Sequence, residues 1–296
     1  MDALADNLRR HVDRLAGVIG PRHPGRPLSL VAAAELVARE LAAAGYDVER
    51  QPYVAHDRDV ENLVAELPGT ARPDEIVVVG AHYDTERGTP GADDNASAVA
   101  VLLEAARAMR SAACERTVRF VAFTCEEAPH FYTSDMGSQV YARRCRARGE
   151  RVVAMLSLEM LGYYSSAPGS QQAPPSLPRF LRWILPGTAD FVAAVGNLPS
   201  WRLLWRFRRG FKRAVAFPLF SICLPEFVRE IRLSDNSSFW DQGYPALMVT
   251  DTSFLRNPHY HEPTDTPETL DYGRMSLVTR GVVGGLRNVA LEIPHP

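Results

Sequence analysis

Residues 75–84 read EIVVVGAHYD, an almost continuous apolar run that ends in His82, Tyr83 and Asp84. A short apolar run after a turn that contains Pro73 is typical of a strand buried on both faces of a parallel sheet. Ligands of open α/β sheets bind where such strands end. The stretch therefore predicts a central strand that delivers an imidazole and a carboxylate to a binding site.

Two later stretches have the same character as this strand, namely residues 117–124 (TVRFVAFT) and 152–159. The segments between the three runs, residues 95–110 and 138–148, have the apolar spacing of helices. Alternating strands and helices predict an α/β fold with a mostly parallel central sheet and helices on both faces. We also predict helices at 4–18, 29–44 and 273–292 and strands at 46–54, 62–67 and 245–250.

The regular alternation is interrupted between residues 165 and 233, where eight prolines separate short aromatic segments. We interpret residues 1–296 as a single catalytic domain with a helical insertion at about 165–233. Long insertions beside the carboxyl edge of a sheet often serve as lids or specificity walls.

The insertion contains the segment WRLLWRFRRGFKR at residues 201–213, which carries six basic residues and no acid. We interpret it as a surface helix whose Trp201, Leu204, Trp205 and Phe211 pack onto the core while the charges stay in water. Two other interpretations remain open: a cationic lid that attracts acidic substrates, or contact with an anionic membrane. Membrane contact is the less favoured interpretation.

Composition excludes several classes of function. The 296 residues carry 33 basic and 35 acidic side chains, and this balance gives no overall field for nucleic acid. The chain has no run of about 18 apolar residues that could span a membrane, and charges spread through residues 1–20 argue against a signal peptide. Four widely spaced cysteines indicate reduced thiols. We therefore expect a cytoplasmic protein.

Side chains that can bind metal follow each predicted central strand, and one set follows the last strand. Alone, each signal has an ordinary explanation, such as a helix N-terminal charge or an ion-pair partner. Together they would place several like charges at one edge, which is costly unless a cation compensates. Two imidazoles and three carboxylates suit zinc, with one carboxylate bridging two ions. The candidate side chains that follow the strands are His82 and Asp84, Asp93 and Asp94, Glu126 and Glu127, Glu159, and His259 and His261.

Five motifs in this order resemble metallopeptidase family 28, which includes bacterial leucyl aminopeptidases, glutamate carboxypeptidase II and, more distantly, glutaminyl cyclase. The motifs are HYDT (82–85), PGADDNAS (90–97), CEE (125–127), SLEMLGYY (157–164) and NPHYHEPTDTPETLDY (257–272). The resemblance implies the zinc-exopeptidase fold, a phosphorylase/hydrolase-like three-layer sandwich. It also implies two zinc ions per chain.

Matched to the family's motifs, five residues stand at ligand positions. His82 and Glu159 resemble ligands of one zinc, Glu127 and His261 resemble ligands of the other, and Asp94 resembles the carboxylate that bridges both. Glu126 resembles the general base, and Asp84 the acid that supports His82. Asp93 is interpreted as a helix cap.

Two departures from the family pattern bear on function. Glu159 stands where the better-known aminopeptidases have Asp, and residues 234–236 read Ser-Asp-Asn where the family often has Ser-Asp-His. The resemblance implies an aminopeptidase that acts on peptides with a free N-terminus. A one-zinc glutaminyl cyclase, a dipeptidase or carboxypeptidase, and a non-catalytic peptide-binding protein are the alternatives.

Overall fold

The structure is a computed structural model that describes residues 2–178, 182 and 185–291. These residues form eight strands in one sheet with the order β1-β2-β4-β3-β5-β8-β6-β7. The strands are β1 (Val48–Ala55), β2 (Arg58–Leu67), β3 (Arg72–His82), β4 (Arg116–Phe123), β5 (Arg151–Glu159), β6 (Val192–Asn197), β7 (Leu219–Leu224) and β8 (Ala246–Thr250). The helices are α1 (Ala3–Val12), α2 (Pro27–Ala43), α3 (Ala98–Met109), α4 (Gly137–Ala147), α5 (Trp201–Ala214), α6 (Asn236–Asp241) and α7 (Tyr272–Ala290).

The centre of the sheet is parallel, as the sequence predicted. Strand β3 pairs in parallel with β4 on one side and with β5 on the other, and β5 pairs in parallel with β8. The hairpin β1–β2 adds to β4 in the antiparallel sense. All four parallel strands therefore end at the same edge of the sheet.

Helices cover both faces of the sheet, so the predicted three-layer α/β architecture is confirmed. Alternate residues of β3 point to opposite sides: Val77 and Val79 belong to one apolar core, and Val78 to the other. The first core packs against α1, α2, α3, α5 and α7, and the second against α4 and α6. Burial on both faces explains why β3 reads as an unbroken apolar run.

The insertion differs from the prediction. Only part of residues 165–233 is helical, because strands β6 and β7 extend the sheet beyond β8 and α5 connects them. Strand β6 runs antiparallel to β8 and parallel to β7. The expected helical insertion is therefore wrong for residues 192–197 and 219–224, which are strands. Residues 179–181, 183 and 184 of this segment, and residues 292–296 at the end of the predicted last helix, lie outside the described residues.

Helix α5 packs one apolar stripe against α7 and leaves the opposite side in solvent. Leu204 and Phe211 are buried, as predicted. Trp201 and Trp205 are 58% and 54% exposed, so the prediction that they pack onto the core is wrong. The positions that face the core are taken by Leu203, Leu204, Phe207 and Phe211. None of the helices in the described residues has the length and apolar character needed to cross a membrane.

Candidate metal centre

The carboxyl edge of the parallel strands gathers all seven of the predicted site residues. His82 is the last residue of β3, Glu159 is the last residue of β5, and Glu126 and Glu127 follow β4. The remaining three come from loops: Asp84 follows β3, Asp94 precedes α3, and His261 follows β8. The sequence separates these residues widely, and the parallel topology brings their side chains together.

Asp94 lies between the two imidazoles. Its Oδ1 is 3.4 Å from Nε2 of His82, and its Oδ2 is 3.2 Å from Nε2 of His261. A second carboxylate accompanies each imidazole: Glu159 Oε2 lies 3.5 Å from His82 Nε2, and Glu127 Oε2 lies 3.4 Å from His261 Nε2. The donors therefore form two adjacent groups that share Asp94.

A backbone turn directs Asp94 into this position. Gly91, which begins the turn, has a left-handed backbone with φ 62°. A Cβ atom at this position would lie 2.3 Å from the carbonyl oxygen of Asp94. The turn therefore requires glycine for both its conformation and its close backbone contact. Residues 92–97 are a separate turn ahead of α3, which begins three residues later than the predicted helix.

The donors fit a divalent cation. His82 Nε2, His261 Nε2, Asp94 Oδ1 and Glu127 Oε1 are buried and have no hydrogen-bond partner within the described residues. Buried polar atoms nearly always have a hydrogen-bond partner. Four buried nitrogen and oxygen atoms that converge on one place without such partners therefore require a ligand. Imidazole nitrogen and carboxylate oxygen are the ligands that zinc takes in proteins. The chemistry and the arrangement of these side chains therefore suit zinc.

The electrostatics of the cluster lead to the same conclusion. Burial, together with the charge of Asp94, raises the pKa of the Glu127 carboxyl to about 8. Burial also raises the pKa of Glu126 and of Glu159. Burial acts to lower the pKa of His261, but the Asp94 and Glu127 carboxylates raise it to about 10. Such perturbed groups in a cleft are typical of a functional site.

Asp84 supports three site residues at once. Its Oδ1 lies 3.5 Å from Nδ1 of His82. Its two carboxylate oxygens also accept the backbone N–H groups of Glu126 and Glu127, each at 3.2 Å. Asp84 therefore holds the loop that carries both glutamates in addition to facing the His82 ring.

Asp93 does not join the cluster, and it does not cap a helix. Its Oδ1 accepts the backbone N–H of Gly162 at 2.8 Å, and its Oδ2 accepts the side-chain amide of Asn257 at 2.7 Å. It also accepts the Ser97 hydroxyl. The carboxylate therefore ties together the loops after β5 and β8, and the cap interpretation is wrong.

Two further residues support the site and were missed by the sequence analysis. The Asp265 carboxylate accepts the backbone N–H groups of Asp93 and Asp94 at 2.9 and 3.1 Å. The buried Arg22 guanidinium donates to the carbonyls of Tyr83, Pro90 and Gly91. Both act through distant backbone groups, so neither stands out in the sequence. The sequence feature that could have indicated Arg22 and Asp265 is a charged residue within a turn rich in Pro, Gly or Thr.

The Ser-Asp-Asn stretch contributes a serine to the site. Ser234 Oγ donates to Glu159 Oε2 at 2.7 Å and so orients the Glu159 carboxylate. Asn236 donates its amide to the carbonyl of Ile231 at 2.9 Å. Asn236 therefore binds a backbone carbonyl only five residues away in the chain.

A cavity of about 220 Å³ opens beside the cluster. Glu126, Glu127, Glu159 and His261 line its floor, and strands β6, β7 and β8 supply an apolar wall. The wall includes Val195, Phe220, Ile222 and Met248, together with Ile231 from the turn before α6. The insertion therefore forms one side of the cleft, and that side is apolar.

Comparisons with known proteins identify relatives of this chain. The chain is 35% identical to the uncharacterized protein YfbL of Escherichia coli, over 97% of this chain and 88% of YfbL. It is 30% identical to leucine aminopeptidase 1 of Trichophyton equinum over 80% of this chain, and the match spans only 60% of that fungal protein.

Solved structures share the fold at low sequence identity. BSAP, a zinc aminopeptidase from Bacillus subtilis, has a TM-score of 0.77 at 15% identity, with 98% of this chain and 96% of that chain covered. The glutaminyl cyclase of Fimbriiglobus ruber has a TM-score of 0.68 at 19% identity, with 96% and 95% covered. The family model described as Peptidase family M28 matches residues 62–284, which carry all seven predicted site residues. The chain therefore belongs to peptidase family M28.

Proposed function

We propose that this protein is a two-zinc aminopeptidase that removes the first residue from peptides with a free N-terminus, and that the chain acts as a single catalytic domain. The observation that carries the proposal is the position of Asp94, with one carboxylate oxygen toward each imidazole. A carboxylate in this position suits a ligand shared by two metal ions. The family membership and the aminopeptidases among the relatives support the reaction class.

In this proposal His82, Asp94 and Glu159 hold one zinc, and Asp94, Glu127 and His261 hold the other. When bound, such a pair polarises the scissile carbonyl and supplies a nucleophilic water. Asp84 fixes the orientation of the His82 ring and holds the Glu126–Glu127 backbone. Ser234 holds the Glu159 carboxylate in place.

Glu126 is the proposed general base. It is buried at the floor of the cavity, with Oε2 3.8 Å from His82 Nε2. Burial and the neighbouring carboxylates raise its pKa, which suits a group that takes a proton from the attacking water and returns it to the leaving amine. The free amine of the substrate is expected beside Glu159. The apolar wall then receives the first side chain of the peptide.

The test combines metal content with hydrolysis of a panel of aminoacyl anilides, with and without a chelator. We expect about two zinc ions per chain, release from unblocked substrates, and loss of release after chelation. N-acetylated versions of the same substrates are the matched control. Release of the carboxyl-terminal residue from N-blocked peptides would instead identify a carboxypeptidase, and cleavage of unblocked dipeptides alone would identify a dipeptidase.

Glutaminyl cyclisation is the second candidate, because the Fimbriiglobus ruber glutaminyl cyclase has the same fold. This reaction needs one zinc ion on the same scaffold. About one zinc per chain, no anilide release, and conversion of N-terminal glutamine to pyroglutamate would replace the aminopeptidase proposal. Peptide binding without zinc or turnover would identify a non-catalytic binding protein.

A further inference from the structure

The outer face of helix α5, together with the turn before it, exposes large apolar side chains. Three large apolar side chains are exposed within eight residues: Leu198, Trp201 and Trp205, with exposed fractions of 54%, 58% and 54%. Trp201 and Trp205 are one helical turn apart, so they lie side by side along the helix. Exposed tryptophans in such a group mark an interaction site.

The same face carries a strong positive charge. The cations are Arg202, Arg206, Arg208, Arg209, Lys212 and Arg213. Within the part of the chain that the structure describes, none of the six forms an ion pair with a carboxylate. Two of them stack on the tryptophans instead: Arg202 lies 5.3 Å from the Trp201 ring centroid, and Arg209 lies 5.4 Å from that of Trp205. Carboxylates of the described residues therefore do not neutralise the positive charge of this face.

The rest of the helix is fixed, so the face is already formed. Leu203, Phe207 and Phe211 are buried against the core and α7. A Cβ atom at Gly210 would lie 2.3 Å from the carbonyl oxygen of Gly284, so the two helices are in backbone contact. A helix held this firmly loses little conformational entropy when its outer face binds a partner.

From these observations we propose that the outer face of α5 docks this protein on an anionic lipid bilayer surface. Tryptophan rings favour the boundary between headgroups and acyl chains, and arginine and lysine beside them attract anionic headgroups. The face lies along a single helix that projects both kinds of side chain outward. That arrangement suits a flat bilayer surface better than it suits a groove-bound partner. The inference is independent of the proposed peptidase function.

The topology places the start of α5 away from the metal centre. In the antiparallel pair β6–β8, Ala193 faces Thr250 and Gly196 faces Leu247. Thr250 pairs with Glu159 at the carboxyl edge, beside the metal centre. The end of β6, from which Trp201 follows, therefore lies at the opposite edge of the sheet. The tryptophan end of the docking face is therefore separated from the metal centre by the length of the strands.

The experiment is co-sedimentation of the full chain with phosphatidylcholine vesicles, with and without phosphatidylglycerol. We expect binding to vesicles that contain phosphatidylglycerol, little binding to phosphatidylcholine alone, and weakening by salt. Arg202→Glu/Arg209→Glu should reduce the partition coefficient by at least about tenfold, since each cation near an anionic surface contributes roughly a fivefold factor. Trp201→Ala/Trp205→Ala should also weaken binding.

The charge-matched control is Arg143→Glu/Arg148→Glu, which changes two exposed arginines near α4 on the other face of the sheet. This variant should bind vesicles like the wild type. Wild-type protein that stays in the supernatant at low salt would overturn the proposal, as would equal losses in the α5 and α4 variants. Binding to a short DNA duplex without binding to vesicles would also overturn it. Anilide hydrolysis by the α5 variants should be unchanged.

Discussion

At the scale of a single residue, a variant of Glu126 can test catalysis separately from metal binding. In the proposed assignment Glu126 moves a proton but is not a zinc ligand, whereas the adjacent Glu127 is. Glu126→Gln keeps the shape of the side chain and removes the base. We expect kcat to fall by roughly 10²–10⁴-fold, the usual contribution of a general base, with zinc content unchanged. Activity on the anilide panel and metal analysis of the same sample measure both quantities.

Glu127→Gln is the matched comparison, because it makes the same chemical change at the next residue. This variant should lose zinc as well as activity, since Glu127 Oε2 lies 3.4 Å from His261 Nε2 and its other oxygen is unpaired and buried. Near-normal turnover by Glu126→Gln would refute the assigned base. Equal zinc loss in both variants would make Glu126 a ligand.

Arg22 binds backbone carbonyls in two segments of the site, and we propose that it positions the metal ligands. Its Nε donates to the Tyr83 carbonyl at 2.7 Å, and its Nη2 donates to the Gly91 carbonyl at 2.9 Å. The side chain therefore links the residue after His82 to the turn that carries Asp94. Burial lowers the pKa of Arg22 to about 10, with Asp265 and Asp84 opposing the shift, so the group remains a cation at neutral pH.

Arg22→Lys should weaken zinc binding although it keeps the charge. A lysine ammonium cannot reproduce the fork of donors that spans both carbonyls. We expect the apparent zinc affinity to fall by about 10–100-fold, as is typical when a group that supports metal ligands is lost. Competition with a chromophoric chelator measures it, and Arg26→Lys, at an exposed position four residues later, is the control. Unchanged zinc affinity in Arg22→Lys would show that the residue serves the fold alone.

Glycines set the packing of α5 on α7 at the scale of elements. Besides the contact of Gly210 with Gly284, a Cβ at Gly281 would lie 2.2 Å from the Phe211 ring, and one at Gly285 would lie 2.4 Å from the Phe207 ring. Gly210→Ala should therefore force the helices apart and lower the free energy of unfolding by about 1–3 kcal/mol. Gly273→Ala, near the start of α7, meets only a side-chain oxygen at 3.4 Å and is the control. Urea denaturation measures both, and equal midpoints would contradict this packing argument.

How far the sequence predicts each element depends on how local its signal is. Strand β3 and the residues at its end were predictable because burial on both faces leaves a continuous apolar run. Strands β6 and β7 were not, because VAAVGN and LFSICL are six-residue runs within a Pro-rich segment. Strand β6 pairs with β8 and with β7, and these segments are far apart in the chain, so no local pattern predicts the pairing.

The same distinction applies within the site. The seven predicted residues follow strands or belong to motifs, so strand order and family resemblance together located them. Arg22 and Asp265 act on backbone atoms more than 60 residues away in the chain. Trp201 and Trp205 were assigned to the core from the sequence because they are apolar, but α5 has more apolar residues than its buried stripe accommodates. The residues left outside that stripe form the surface proposed to bind lipid.

For the whole molecule, zinc should act as a cross-link of the fold. The proposed ligands come from β3, β5, the loops before α3 and after β4, and the chain after β8, and their three carboxylates are buried together. Removal of the cations leaves these like charges facing one another. In addition, a ligand that binds only the folded state stabilises it by about 4 kcal/mol when present at 1,000 times its Kd. Exhaustive chelation should therefore lower Tm by several degrees, and added zinc should restore it.

Calorimetry of wild type and His82→Gln measures the effect, with a smaller response expected in the variant because one zinc loses its imidazole. A Tm that does not respond to chelation, in a sample shown by metal analysis to have lost its zinc, would mean that the cluster is stable without cations and that the metal serves catalysis alone.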